Sequence, residues 1–336
     1  MARSTQSERR FDVSSFIMKR ETSLVIFILV VILGVTIHSP RFFSLANFHD
    51  ILLDGSIVAM ASIGQMMAVM TGGIDLSIGS GLALSGMLVG LIYKAGFALN
   101  PYLALLLGGL IGLVLGSING LVIVKGKILP IIVTLGTMSI YRGLIFLVSQ
   151  GAWVSAHEMP NSFIRLARGN VLGIPNLIFI TGVLYLIFYF FLTHSKTGRE
   201  VYAVGGNLEA ARVAGINTDK INYIVYATTG FLYGLCGVLW VSRFASAQPD
   251  TATGFEFSTV TAIVLGGVSV FGGTGRTTGV LLGALLIALS ENALNVTQTN
   301  PFWKMAIQGI VILLAVTLDE IVRRRTKTKV VREQQA

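Results

Sequence analysis

Apolar residues come in long, nearly unbroken blocks from Leu24 to Leu318, with short polar stretches between them. A bilayer's hydrocarbon core, about 30 Å thick, takes roughly 20 apolar residues of helix. Lipid offers the backbone no hydrogen-bond partner, so such blocks must be helices if they cross it. The pattern predicts ten spans: Thr22–His38, Ile51–Thr71, Leu76–Tyr93, Pro101–Val124, Ile128–Ser149, Asn176–Thr193, Ile221–Ser242, Ser258–Gly272, Thr277–Leu294 and Phe302–Leu318. The expected fold is an all-α, polytopic membrane bundle of about ten transmembrane helices. Residues 1–21 form an N-terminal tail, 22–318 the membrane domain and 319–336 a basic tail. The polar gaps are too short to hold a soluble domain, and Ser258–Gly272 is short for a full crossing.

Charge orients this arrangement. The chain carries 25 Lys and Arg against 16 Asp and Glu, a net charge of +9. With the N-terminus inside and the spans alternating, the basic clusters before Glu21, at Lys125 and Lys127, in 194–220, at Arg276 and after Leu318 share one side. Arg41, Lys94, Arg165, Arg168, Arg243 and Lys304 fall on the other. This is the positive-inside bias, with both termini cytoplasmic, and it accounts for the charge without nucleic acid. The first apolar block lacks a small-residue cleavage site after it and reads as a retained anchor. Mean hydropathy is +0.76, charged residues are 12%, and the one cysteine, Cys236, sits in an apolar block. His38, His49, His157 and His194 are scattered, so no metal spacing is present.

Small residues recur at four-residue spacing: Gly108, Gly112, Gly116 and Gly120; Gly275, Gly279 and Gly283; Ser77, Gly81 and Ser85; and the pair Gly230 and Gly234. Such stripes let helices approach closely in lipid, and intramolecular packing is favoured over a dimer seam. Three polar breaks interrupt the pattern. Thr71–Ser80 fits either an unwound segment on a transport path or a tight cytoplasmic turn with Asp75 capping the next helix. Leu265–Arg276 fails the phosphate-loop spacing and reads as a glycine-lined turn between tightly packed helices. In the loop 194–220, Asn207 is placed to cap a short helix containing Ala210, Ala211, Val213 and Ala214, with Glu209 in its first turn and Gly215 at its end. A helix that small implies a docking partner.

Glu209-Ala210-Ala211 followed after three residues by Gly215 resembles the EAA–Gly loop of bacterial ABC importer permeases. More narrowly, the chain resembles the monosaccharide permeases of the ribose, xylose, arabinose, galactose, rhamnose and autoinducer group. That resemblance rests on Gly72-Gly73-Ile74-Asp75-Leu76-Ser77, Thr134-Leu135-Gly136-Thr137-Met138 with Arg142-Gly143, Gly205-Gly206-Asn207, Ser246-Ala247-Gln248-Pro249, and Leu265-Gly266-Gly267 with Gly272-Gly273. It covers about Ser39 to Asp319. Phe257-Ser258-Thr259 departs from it, lacking an acid expected just after Glu256.

The resemblance implies a multi-pass transport subunit of the bacterial inner membrane that is not itself an enzyme. It binds no cofactor directly, since ATP and Mg act through a partner ATPase. Other partners would be a periplasmic or extracellular sugar-binding protein, a second permease copy or paralogue, and membrane lipid, but not nucleic acid. Coupling to the ATPase would fall to Asn207, Glu209, Ala210, Ala211 and Gly215. Polar residues within spans are the candidates for the translocation path: Gln65, Asp75, Asn119, Arg142, Glu291, Asn292 and Asn295. Arg142 and Glu291 are also candidates to pair with each other or to reach a membrane surface. The alternative is an ion-coupled secondary sugar carrier, which needs paired acids deep in the spans and has only Asp75 and Glu291. A membrane enzyme would need clustered His, Asp or Glu near an interface, which the sequence lacks.

Overall fold

The computed structural model describes residues 20–300, 302–314, 316, 317 and 320. The expected tails therefore lie outside the described residues apart from Arg20, Glu21 and Glu320. The helices are α1 (Arg20–His38), α2 (Leu45–Met70), α3 (Ile78–Lys94), α4 (Pro101–Gly126), α5 (Pro130–Ser149), α6 (Asn161–Arg168), α7 (Asn176–His194), α8 (Lys196–Gly206), α9 (Leu208–Val213), α10 (Thr218–Phe244), α11 (Phe255–Leu265), α12 (Thr277–Val296) and α13 (Trp303–Leu314). A two-stranded antiparallel hairpin, β1 (Asn170–Val171) and β2 (Ile174–Pro175), joins α6 to α7.

Among the described residues, six helices are long and apolar enough to cross a membrane: α2, α4, α5, α7, α10 and α12. The protein is thus an all-α, multi-pass membrane bundle. The most apolar stretch of α2 is 89% buried and that of α10 78%, against 28% for α5 and α7. Hence α2 and α10 form the centre, while α5 and α7 turn most of their surface outward. Local chemistry sets the helix starts. The side chains of Ser44, Asn100, Ser195 and Asn217 each accept a first-turn amide, and Pro101 follows Asn100 where no N–H is needed.

Glycine decides which helices touch. A Cβ on Gly112 would strike the carbonyl of Gly230, and one on Gly230 would strike the carbonyl of Gly112. Gly116 and Gly234 extend this α4–α10 seam, Gly86 meets Gly237 between α3 and α10, and Gly283 meets the Ala262 carbonyl between α12 and α11. The stripes thus serve packing within the chain.

α2 and α11 stop in the same way. After α2, the amides of Gly72 and Gly73 bond back to Val69 and Ala68 at 2.9 and 3.0 Å. After α11, those of Gly267 and Val268 bond back to Val264 and Ile263 at 3.1 and 2.9 Å. Gly72 (φ +85°) and Gly267 (φ +92°) supply the left-handed conformation that each stop requires.

The expected span Ser258–Gly272 is shifted. Its helix is α11, whose 11 residues cover about 16 Å, roughly half a hydrocarbon core. A non-helical stretch, 245–254, precedes it. Ala247 pairs with Val154 at one end of the bundle, and the Ala252 carbonyl and Glu256 lie against Gly79 in the first turn of α3. The irregular backbone is satisfied by protein: Arg142 on α5 donates to the carbonyls of Pro249 (3.0 Å) and Thr251 (2.8 Å).

Candidate functional site

At one end of the bundle, α8 and α9 form a projecting arm. Asn207 accepts the Ala210 amide at 3.0 Å and starts α9. Gly215, at φ +80°, ends it, with its amide bonded to Arg212 and that of Ile216 to Ala211. Glu209 pairs with Arg212 at 2.9 Å. Asn207, Leu208, Glu209, Ala210 and Val213 are exposed, and Ala211 alone of this helix is buried against the body. The cap, the acidic first turn and the glycine stop all stand where the spacing placed them.

The arm is rooted between the end of α2 and the loop entering α12. Gly205, on the last turn of α8, lies so close to the Met70 carbonyl and the Gly273 amide that any side chain there would collide with both. The Gly273 amide itself donates to the Met70 carbonyl at 3.0 Å. Tyr202 donates to the Gly275 carbonyl at 2.9 Å, and burial holds its phenol above the usual range, so it remains a donor. Displacing α9 must therefore press on the end of α2 and on the loop entering α12.

Just beyond Met70, the chain turns into the core. Asp75 and Ser77 are fully buried; Asp75 Oδ1 accepts from the Ser77 amide (2.8 Å) and hydroxyl (2.6 Å). Ser77 Oγ accepts from Asn119 on α4 at 2.8 Å, and Tyr141 on α5 reaches Asn119 Oδ1 at 3.4 Å. Thr134 on α5 donates to the Ile74 carbonyl at 3.0 Å. The break is thus an internal turn in which Asp75 holds Ser77, the residue that precedes α3, and it is tied to α4 and α5. Sequence reasoning named Ser77 as a small packing residue and passed over Tyr141; a hydroxyl-bearing tyrosine inside an apolar block was the available cue. Among the described residues, Asp75 Oδ2, the Gln65 amide and the hydroxyls of Tyr226 and Tyr233 are buried without a protein partner, the usual mark of ordered water.

The remaining polar candidates do not join this cluster. Arg142 binds the carbonyls before α11 and does not pair with Glu291. Glu291 instead pairs with Lys304 at 2.9 Å and accepts from Ser258 at 3.3 Å, and Gln308 donates to Ser258 at 2.9 Å. Asn292 donates to Asn47 at 2.9 Å, and Asn295 is exposed. An acid at 256 is fixed by local geometry: Glu256 is buried beside Gly79.

The opposite end carries α6 and the hairpin. Ser242 on α10 accepts the Ala167 amide and donates to the Phe163 carbonyl, clamping α6 down. Lys94 bridges to Glu158 at 3.0 Å and donates to the Trp153 carbonyl. The Ser155 amide, then Lys94, hold the Glu158 carboxyl below the usual range.

Comparison with known proteins fits this architecture. Residues 47–316 match the family described as branched-chain amino acid transport system / permease component. The chain is 36% identical over 321 residues to the ribose import permease protein RbsC of Escherichia coli K12, covering 95% of this chain and 99% of the relative. It is 38% identical over 312 residues to the RbsC of Bacillus subtilis 168, covering 93% and 96%. To the D-allose transport system permease protein AlsC of Escherichia coli K12 it is 34% identical over 325 residues, covering 96% and 98%. No solved structure matches. With most of its length matched and relatives aligned nearly end to end, the chain belongs to this family of transport-system permease components.

Proposed function

We propose that the chain is the membrane-spanning subunit of an ATP-driven ABC importer that brings a monosaccharide into a bacterial cell across the inner membrane. The permeases it is similar to are named for ribose, D-allose and L-arabinose. The observation that carries the mechanism is the arm: an exposed, capped helix rooted by Gly205 at the end of α2 and the loop entering α12. Asn207, Glu209, Ala210, Ala211 and Gly215 present α9 to a separate ATPase, which binds ATP and Mg. When that motor closes, α9 is carried with it, α8 pushes on Met70 and Gly273, and the bundle changes the side to which it opens.

In this reading the α8–α9 end faces the cytoplasm. The ten apolar helices and their connecting segments make ten crossings over 22–318, with both tails inside. The opposite surface, residues 151–175, receives a sugar-binding protein. A second permease packs on α5, where Gly136 and Gly143 face open space and admit a close partner helix. Arg142 belongs beside the path, because it holds 249–251 on the helix that meets the second copy. Gln65, Asp75 and Asn119 support the broken segment from within, and Glu291, Asn292 and Asn295 line the far end of α12.

The test is uptake of a labelled sugar panel by cells expressing the full system, with the membrane potential collapsed and ATP maintained. Continued uptake is expected. Loss of uptake would contradict the proposal and favour an ion-coupled carrier.

A further inference from the structure

A cleft of about 320 Å³ opens between α1, α11, α12 and α13. It is built from two kinds of wall. Phe27, Leu265, Ile287 and Val311 make one end apolar, whereas Glu291 and Lys304 stand at the other. The order along the helices gives this polarity a direction. α12 runs from its start beside the arm toward Val296, reaching Ile287 before Glu291. α13 returns, passing Lys304 before Val311. The ion pair therefore sits toward the end of the bundle that carries α6 and the hairpin, and the apolar part reaches toward the middle.

The charges are only partly used. Lys304 and Glu291 are 38% and 28% exposed. An ammonium has three donors, and one of Lys304's goes to Glu291 Oε1. The same oxygen takes the Ser258 hydroxyl, which also accepts from Gln308. This network fixes the carboxylate against α11 and α13 while leaving both signs of charge accessible at one point. A wide apolar cleft cannot hold water favourably, and at this size it lies within the range of ligand cavities.

We propose that this cleft binds one zwitterionic, amine-bearing phospholipid from the leaflet at the α6 end. Its phosphate lies at Lys304, its ammonium at Glu291, and one acyl chain fills the space between Phe27, Ile287 and Val311. An anionic lipid would meet Lys304 equally well but would face Glu291 with nothing to offer it. A neutral diacylglycerol would leave both charges unmatched. The proposal is independent of which solute the protein carries.

Native mass spectrometry of the full-length protein, released from nanodiscs of equal phosphatidylethanolamine and phosphatidylglycerol, tests it. The wild type should retain one phosphatidylethanolamine in preference to phosphatidylglycerol. Ala293→Phe or Ile307→Trp, filling the cleft from different walls, should each lower retention about tenfold, the effect of losing as little as two buried methylenes. Glu291→Gln with Lys304→Met should retain lipid but lose the headgroup preference. A thermal unfolding curve like that of wild type marks each variant as folded, and two cleft-filling variants guard against the loss of one. Wild type retaining neither lipid, or both alike, would overturn the proposal. So would unchanged retention in a folded cleft-filling variant.

Discussion

Two helix stops in this protein have the same backbone and opposite fates. After Met70 and after Leu265 the chain makes the same pair of backward hydrogen bonds and the same left-handed glycine. Beyond the first stop it plunges inward, burying Gly73, Asp75 and Ser77; beyond the second it stays near the surface, with Phe271, Thr274 and Arg276 exposed. The difference lies in the residues after each glycine. Asp75 and Ser77 carry their own hydrogen-bond partners into the core, where an unsatisfied amide would be costly. The second turn is bonded within itself, through Ser269 to Phe271, Gly272 and Thr274, and stays accessible at the arm. Gly205 touches the first stop at Met70 and the loop that follows the second at Gly273.

The largest effect is expected where the first stop meets the loop beyond the second. Gly205→Val should abolish uptake while leaving membrane insertion intact, because its side chain cannot fit between Met70 and Gly273; uptake at wild-type rate would separate the arm from the stops. Next, Asp75→Ala should destabilise the protein by about 2–3 kcal/mol through the unsatisfied Ser77 groups, read as thermal unfolding in detergent. Ser269→Ala in the second turn should cost no more than about 0.5–1 kcal/mol, and equal costs would erase the contrast. Tyr141→Phe, which removes one outer member of the first network, should cost about 1 kcal/mol.

The smallest effect lies away from both turns. Glu158 has a lowered folded-state pKa, so its contribution is present above the usual carboxylate value of about 4.5. That contribution is lost as pH falls through the lowered value. Amide protection factors at 155–158, corrected for the intrinsic pH dependence of exchange, should fall on acidification in that range and stay constant there in Glu158→Gln.

The arm was legible in the sequence because its determinants are local: an Asn cap, an acid in the first turn and a glycine stop within nine residues of one another. The bundle was legible because lipid demands long apolar blocks. The end of α11 was legible only in part: Leu265–Arg276 read as a glycine-lined turn, yet the expected span ran on to Gly272, since Gly266 and Gly267 interrupt an apolar run without any charge and hydropathy does not register a positive φ. The role of 245–254 was not legible: its polar composition resembles an ordinary loop until Arg142, more than 100 residues away, is found to satisfy its carbonyls. The Ser77–Asn119 bond and the pairing of Glu291 with Lys304 depend likewise on which helices become neighbours.

The central claim is that α9 takes force from an ATPase. Cys236, the chain's single cysteine, is buried, so one introduced cysteine can serve as a probe. Ala210→Cys in the assembled transporter should cross-link to the ATPase subunit, and Leu172→Cys in the hairpin should not. Cross-linking from Leu172→Cys with none from Ala210→Cys would contradict the account.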